Sequence, residues 1–220
     1  VRNKSSIKNL IDYNFKKKIH KISKRIIELK NEKYFLFFIK YYNNDINNIS
    51  GSGTRQTANF VKVKKLIQFI LDNNYKILVM GNNFDKSVEK IKKLDFKDKK
   101  KDVLFFNDLS DNYDLGDQIY VVNNSLGYVG NGCGFTEPVY FQRKIGVIFD
   151  IPFDPIRFPR HNLNFRKFLY KKIKIDNKET IFKSDQEKDI LGKNINYQII
   201  ETPLDEIVSE IKKNFFKWKW

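Results

Sequence analysis

The chain has 220 residues, 41% hydrophobic and 15% aromatic, with 42 Lys and Arg against 26 Asp and Glu and a formal net charge of +16. That length and apolar content suit a folded domain with a substantial core, and the single cysteine excludes a disulfide framework. No apolar run reaches bilayer length, and the basic excess is mostly Lys accompanied by Asn and Ile, with Arg a minority; this reads as A+T-rich coding rather than a nucleic-acid interface, leaving only weak attraction to an anionic membrane surface.

Residues 1–32 read as a basic amphipathic helical segment, with Ile7, Leu10, Ile11, Phe15, Ile19 and Ile22 recurring three or four apart among lysines. No secretory cleavage pattern occurs there, so the expected location is cytoplasmic, at most at the inner membrane surface. A second unit spans 33–220. It opens with Tyr34 to Ile39, an unbroken apolar run of the kind found in a strand covered on both faces. Tyr41 to Thr54, rich in Asn, Ser and Gly, reads as a loop.

Thr57 is the expected cap of a helix whose Phe60, Val63, Leu66, Ile67 and Ile70 form one stripe, ending at Asn73-Asn74. Lys76 to Met80 is the next strand, running into Gly81-Asn82-Asn83. Ser87 to Leu94 is a short helix, and Val103 to Phe106 a third strand. Asp114 to Asn123 is helical with Leu115, Ile119 and Val122 on one side. Leu126 to Val129 is a fourth strand, Phe135 to Gln142 a helix, and Ile145 to Phe149 a fifth strand. Beyond Asp150 the pattern loosens until a strand at Tyr197 to Ile200. The final helix takes Thr202 as cap and Pro203 in its first turn, and it closes on Phe215, Phe216, Trp218 and Trp220, a cluster expected to pack on the chain or on a partner.

Strands and helices alternate with connections too long for hairpins, which predicts an α/β fold: a Rossmann-like parallel sheet with helices on both faces. Ligands of such sheets sit beyond the carboxyl ends of the strands. The segment best suited to line that edge is Gly130-Asn131-Gly132-Cys133-Gly134-Phe135, where a strand breaks into alternating glycines before a helix. Missing Cβ atoms bring the main chain close to a ligand, and free N–H groups at a helix start favour a phosphate or diphosphate. The plainer reading is a turn that lets helix and strand pack. Glu137 either reaches ribose hydroxyls or complements the helix dipole. Gly81, Asn82 and Asn83 either read a ligand edge or shape a turn. Asp150 either activates an acceptor or caps a loop.

Cys133 lacks the flanking pattern of a nucleophile elbow, and His20 and His161 cannot build a metal site with one cysteine. No Asp-x-Asp triplet is present, so diphosphate neutralisation would fall to backbone donors and cations, without a metal.

The order of these elements resembles the donor-binding half of a GT-B glycosyltransferase, that is its C-terminal domain, and is similar to a transferase family found among bacterial surface-polysaccharide genes. The likeness runs from Tyr34 to Phe216. That family's first strand ends in His-x-Arg, where this chain has Phe38-Ile39-Lys40, and its arginine before a helix matches Arg55. Its Arg-Met-Gly strand end matches Val79-Met80-Gly81, its Gly-x-x-Ser-Gly turn Gly130 to Gly134, and its Asn-x-Pro-Glu-Glu-Ile segment Glu201 to Ile207.

The resemblance implies metal-independent transfer of a sugar from a nucleotide-sugar to a glycan or lipid-linked acceptor. Arg55 and Lys40 would serve the departing phosphates, with no cofactor beyond the nucleotide-sugar donor. The acceptor domain of a complete enzyme would be a missing segment or a partner protein, the chain being read as a fragment. Two other readings compete. The absent His and Arg favour an inactive or partner-completed nucleotide-sugar-binding module. Gly130-x-Gly132 with Asp150 downstream imitates a dinucleotide fingerprint, though Phe135 stands where its third glycine belongs.

Overall fold

The computed structural model describes residues 22–39, 59–81, 86–111, 114–131, 138–139, 142–151, 165–183 and 196–216. Its centre is a six-stranded sheet in the order β3-β2-β1-β4-β5-β6. The strands are β1 (Tyr34–Phe38), β2 (Lys76–Val79), β3 (Val103–Phe105), β4 (Gly127–Gly130), β5 (Ile145–Ile151) and β6 (Arg166–Tyr170). Every pairing is parallel, with Phe35 opposite both Ile77 and Gly127. All four residues of β4 are buried, as expected of a sheet covered on both sides.

Alternation along the strands feeds two cores. One face presents Phe35, Phe37, Ile77, Val79, Val129 and Phe149 to three helices, α2 (Phe60–Asp72), α3 (Lys86–Lys92) and α6 (Leu204–Ile211). The other presents Tyr34, Leu36, Leu78, Tyr128 and Ile148 to α1 (Lys24–Glu28) and α5 (Leu115–Asn124), beside the short α4 (Phe106–Leu109). This two-period pattern on strands and three-to-four spacing on helices is the sequence periodicity made solid.

Several boundaries differ from expectation. Asn59, not Thr57, caps α2: its side chain accepts from the amides of Val61 and Lys62. The helix ends at Asn73 with Asn74 in the left-handed region, as its sequence implies. In α5 the buried side carries Gly116, Asp117, Val121 and Val122, whereas Leu115 is exposed. The reason is polar: Asp117 is held by the Ser23 amide (2.9 Å) and by the hydroxyls of Ser23 (2.5 Å) and Ser110 (2.6 Å). That carboxylate fixes which side of the helix faces inward. The lysine run forms a 3-10 turn, Lys97–Asp102.

The segment after β6 holds a second, three-stranded antiparallel sheet in the order β8-β7-β9, from β7 (Lys172–Ile175), β8 (Lys178–Ile181) and β9 (Tyr197–Ile200). Thus the expected strand at Tyr197 exists but lies outside the parallel sheet. Downstream of α6, Phe215 packs edge-on against Phe35 with ring centroids 4.7 Å apart, and Phe216 stacks on Tyr75 at 5.1 Å. These two aromatics cover the chain's own sheet; Trp218 and Trp220 lie outside the described residues. No described helix is long and apolar enough to cross a membrane.

Candidate functional site at the carboxyl edge of the sheet

Chain order reverses between β1 and β4, the two middle strands, and in sheets of this kind the ligand crevice lies beyond the carboxyl ends at that point. Gly130 and Asn131 stand at that point. The Asn131 amide donates to the Phe38 carbonyl at 3.1 Å, which continues the β1–β4 ladder one step past the strand. From below, the Tyr128 hydroxyl donates to the Asn131 carbonyl at 2.6 Å. Asn131 is buried and held through both its amide and its carbonyl.

Gly130 has a packing reason of its own. A Cβ there would collide with the Phe38 carbonyl oxygen and lie 2.8 Å from the Tyr128 hydroxyl. Across β1, Gly81 follows β2 with φ 129°, a conformation that L side chains rarely adopt. The structure therefore brings Gly81, Gly130 and Asn131 to one edge, on either side of β1. Lys40, Arg55, Asn82, Gly132, Cys133, Gly134, Phe135 and Glu137 lie outside the described residues, as do Asn83, His20 and His161. Among the described residues no group of three or more His, Cys, Asp and Glu is arranged to hold a metal.

The edge also carries a charged cluster that sequence reasoning missed. Lys62, in the first turn of α2, donates to Asp150 Oδ2 at 2.5 Å and to the Thr202 carbonyl at 3.2 Å, and its ammonium forms a salt bridge with Glu201 Oε2 at 2.7 Å. Two hydrogen bonds and two carboxylates thus hold one ammonium. The other oxygen of Asp150 accepts the Thr202 amide at 2.7 Å. Both oxygens of Asp150 are thus engaged within the protein, the arrangement expected of the loop-capping reading.

For the same reason Thr202 does not cap α6. Its hydroxyl lies near the Asp150 amide and the Leu169 carbonyl, and Pro203 occupies the cap position. Lys171, between β6 and β7, is buried in the same neighbourhood. Burial pushes its ammonium below the ordinary lysine range, while Asp150 and Glu201 oppose the shift and Lys62 adds to it. The only sequence trace of this cluster is an aspartate at a strand end; the pairing joins residues far apart in the chain.

No protein-family model matches the chain, nor does any curated protein. Among solved structures, E. coli heptosyltransferase WaaC with ADP-2-deoxy-2-fluoro heptose is similar over 74% of this chain and 44% of its own, at 12% identity and a TM-score of 0.43. Methanocaldococcus jannaschii UDP-GlcNAc 2-epimerase in complex with UDP-GlcNAc and UDP is similar over 86% of this chain and 49% of its own, at 10% identity and a TM-score of 0.42. The chain spans less than half the length of either protein, and both are likenesses of chain path alone.

Proposed function

We propose that the chain is a nucleotide-sugar-binding module, the donor half of a metal-independent glycosyltransferase acting on a glycan or lipid-linked acceptor. The observation that carries this reading is the strand order, which sets the carboxyl ends of β1 and β4 side by side with the glycine-rich stretch starting at their junction. Main-chain amides of Gly132 to Phe135 would take the diphosphate, with Arg55 and Lys40 neutralising it as the bond to the sugar breaks. Glu137 would meet the ribose, and Gly81 and Asn82 would line the far wall. The acceptor-binding part would come from another segment or a partner protein.

Phe38 and Lys40, standing where the resembling family has His and Arg, favour a second reading in which the module binds the donor without turning it over. Calorimetric titration with UDP-glucose, GDP-mannose, CMP-sialic acid and NAD tests both. One nucleotide-sugar is expected to bind, and Arg55→Ala to weaken it by about 2 kcal/mol or more. Binding of NAD alone would overturn the proposal. Release of free nucleotide on adding an acceptor extract separates a transferase from a silent binder.

A further inference from the structure

β5 does not run regularly to its end. Ile148 pairs with Phe168 and Ile151 with Tyr170, so β5 carries one residue more than β6 across that interval. Asp150 lies within it and has φ 53°, the left-handed region that a non-glycine residue enters only when its surroundings require it. The consequence is a change of side. Ile148 and Ile151 both face the α1–α5 core and Phe149 the α2–α6 core, so simple alternation would point Asp150 toward α5. The bulge redirects it to α2 and to the start of α6, where it meets Lys62 and Thr202.

We infer that Asp150 is a positioning residue: through Lys62 it sets the first turn of α2 at the edge of the β1–β4 crevice and ties that turn to the junction of β9 and α6. Four observations meet here. The backbone is strained at Asp150; its carboxylate is bonded through both oxygens; the Lys62 ammonium donates to Asp150 and to the Thr202 carbonyl; and Glu201, just past the end of β9, forms a salt bridge with the same ammonium. The charge of that ammonium is answered within the protein by two carboxylates. Its work is to hold α2, the next described helix after β1.

This inference deepens the nucleotide-sugar reading, and its affinity arm rests on that reading. The test uses the full chain with Lys62→Met, Lys62→Arg, Asp150→Asn and, as an exposed control on the same helix, Lys64→Met. Amide hydrogen exchange is expected to accelerate on the order of tenfold at residues 61–63 and at 202 together in Lys62→Met and Asp150→Asn, and to stay unchanged in β1 and β2. The bound nucleotide-sugar is expected to weaken at least about tenfold in both variants, with most of the loss recovered in Lys62→Arg and none seen in Lys64→Met.

Acceleration confined to α2, or unchanged affinity in Lys62→Met, would overturn the inference while leaving the binding reading intact. A wild-type chain that binds none of UDP-glucose, GDP-mannose and CMP-sialic acid would end the binding reading instead. In that case the exchange data alone decide: joint acceleration upholds the coupling between α2 and the β9–α6 junction, and its absence removes it.

Discussion

Gly127, Gly130 and Gly146 lie on two adjacent strands, yet what a methyl group would meet at each is different. At Gly127 it would strike the Ile145 carbonyl and approach the Phe215 ring at 2.6 Å, whereas at Gly146 the nearest atoms are 3.9 Å away on Ile148. Gly130→Ala and Gly127→Ala are therefore expected to destabilise the fold by about 3 kcal/mol each, while Gly146→Ala stays within about 1 kcal/mol. Urea denaturation of the three variants checks this. The glycine at 130 was legible as the end of a strand. Its packing role was not, because the opposing carbonyl belongs to β1, and nothing near Gly130 in sequence announces that neighbour. The same blindness hid the Lys62 cluster, whose members come from four separate stretches of chain.

At the scale of elements, β1 to β5 of the parallel sheet stood out because unbroken apolar runs such as Tyr34 to Phe38 have few other uses, whereas the edge strand β6, Arg166-Lys167-Phe168-Leu169-Tyr170, did not. β7 and β8 did not, although Lys172-Ile173-Lys174-Ile175 alternates with the period of a half-buried strand. Their turn is Asp176-Asn177, both residues with positive φ (47° and 64°), the pattern of a two-residue hairpin with the handedness that strand twist prefers. Asp-Asn is a weaker signal than Asp-Gly, and the hairpin therefore passed as irregular chain. Asn177→Gly relieves a left-handed non-glycine residue and is expected to add about 0.5 kcal/mol of stability, read as a small rise in Tm. A loss of stability would mean that the Asn177 side chain holds the turn. Helix caps were legible to within a few residues; the buried side of α5 was not, since a polar triad at Asp117 outweighs the exposed apolar Leu115.

For the whole molecule, the two-sided sheet follows from alternation, while the strand order could not be read, because parallel pairing leaves no local mark of which strand lies next to which. The depth of the core has a measurable signature in alkali. Tyr34 is fully buried with its hydroxyl donating to the Val121 carbonyl at 2.8 Å, and burial raises its pKa far above 10.0; the half-buried Tyr170 is pushed up to about 12. A phenol that ionises more easily unfolded than folded contributes stability fully present below the unfolded value and lost as pH rises beyond it. Stability is expected to fall from pH 10 toward 12. Lys171, shifted down from 10.5, acts in the opposite sense below that value, so the decline is cleanest above it. Urea midpoints at successive pH values check the slope, and Tyr34→Phe should flatten it.

The place of β1 has a kinetic consequence. Phe35 pairs with Ile77 on one side and with Gly127 on the other, so the strand is shared by an early-made and a late-made half of the sheet. As the polypeptide emerges, β1 to β3 can associate while the flank awaiting β4 is still bare, a row of amides and carbonyls open to any passing strand. Nascent chains held at that stage are where self-association would begin.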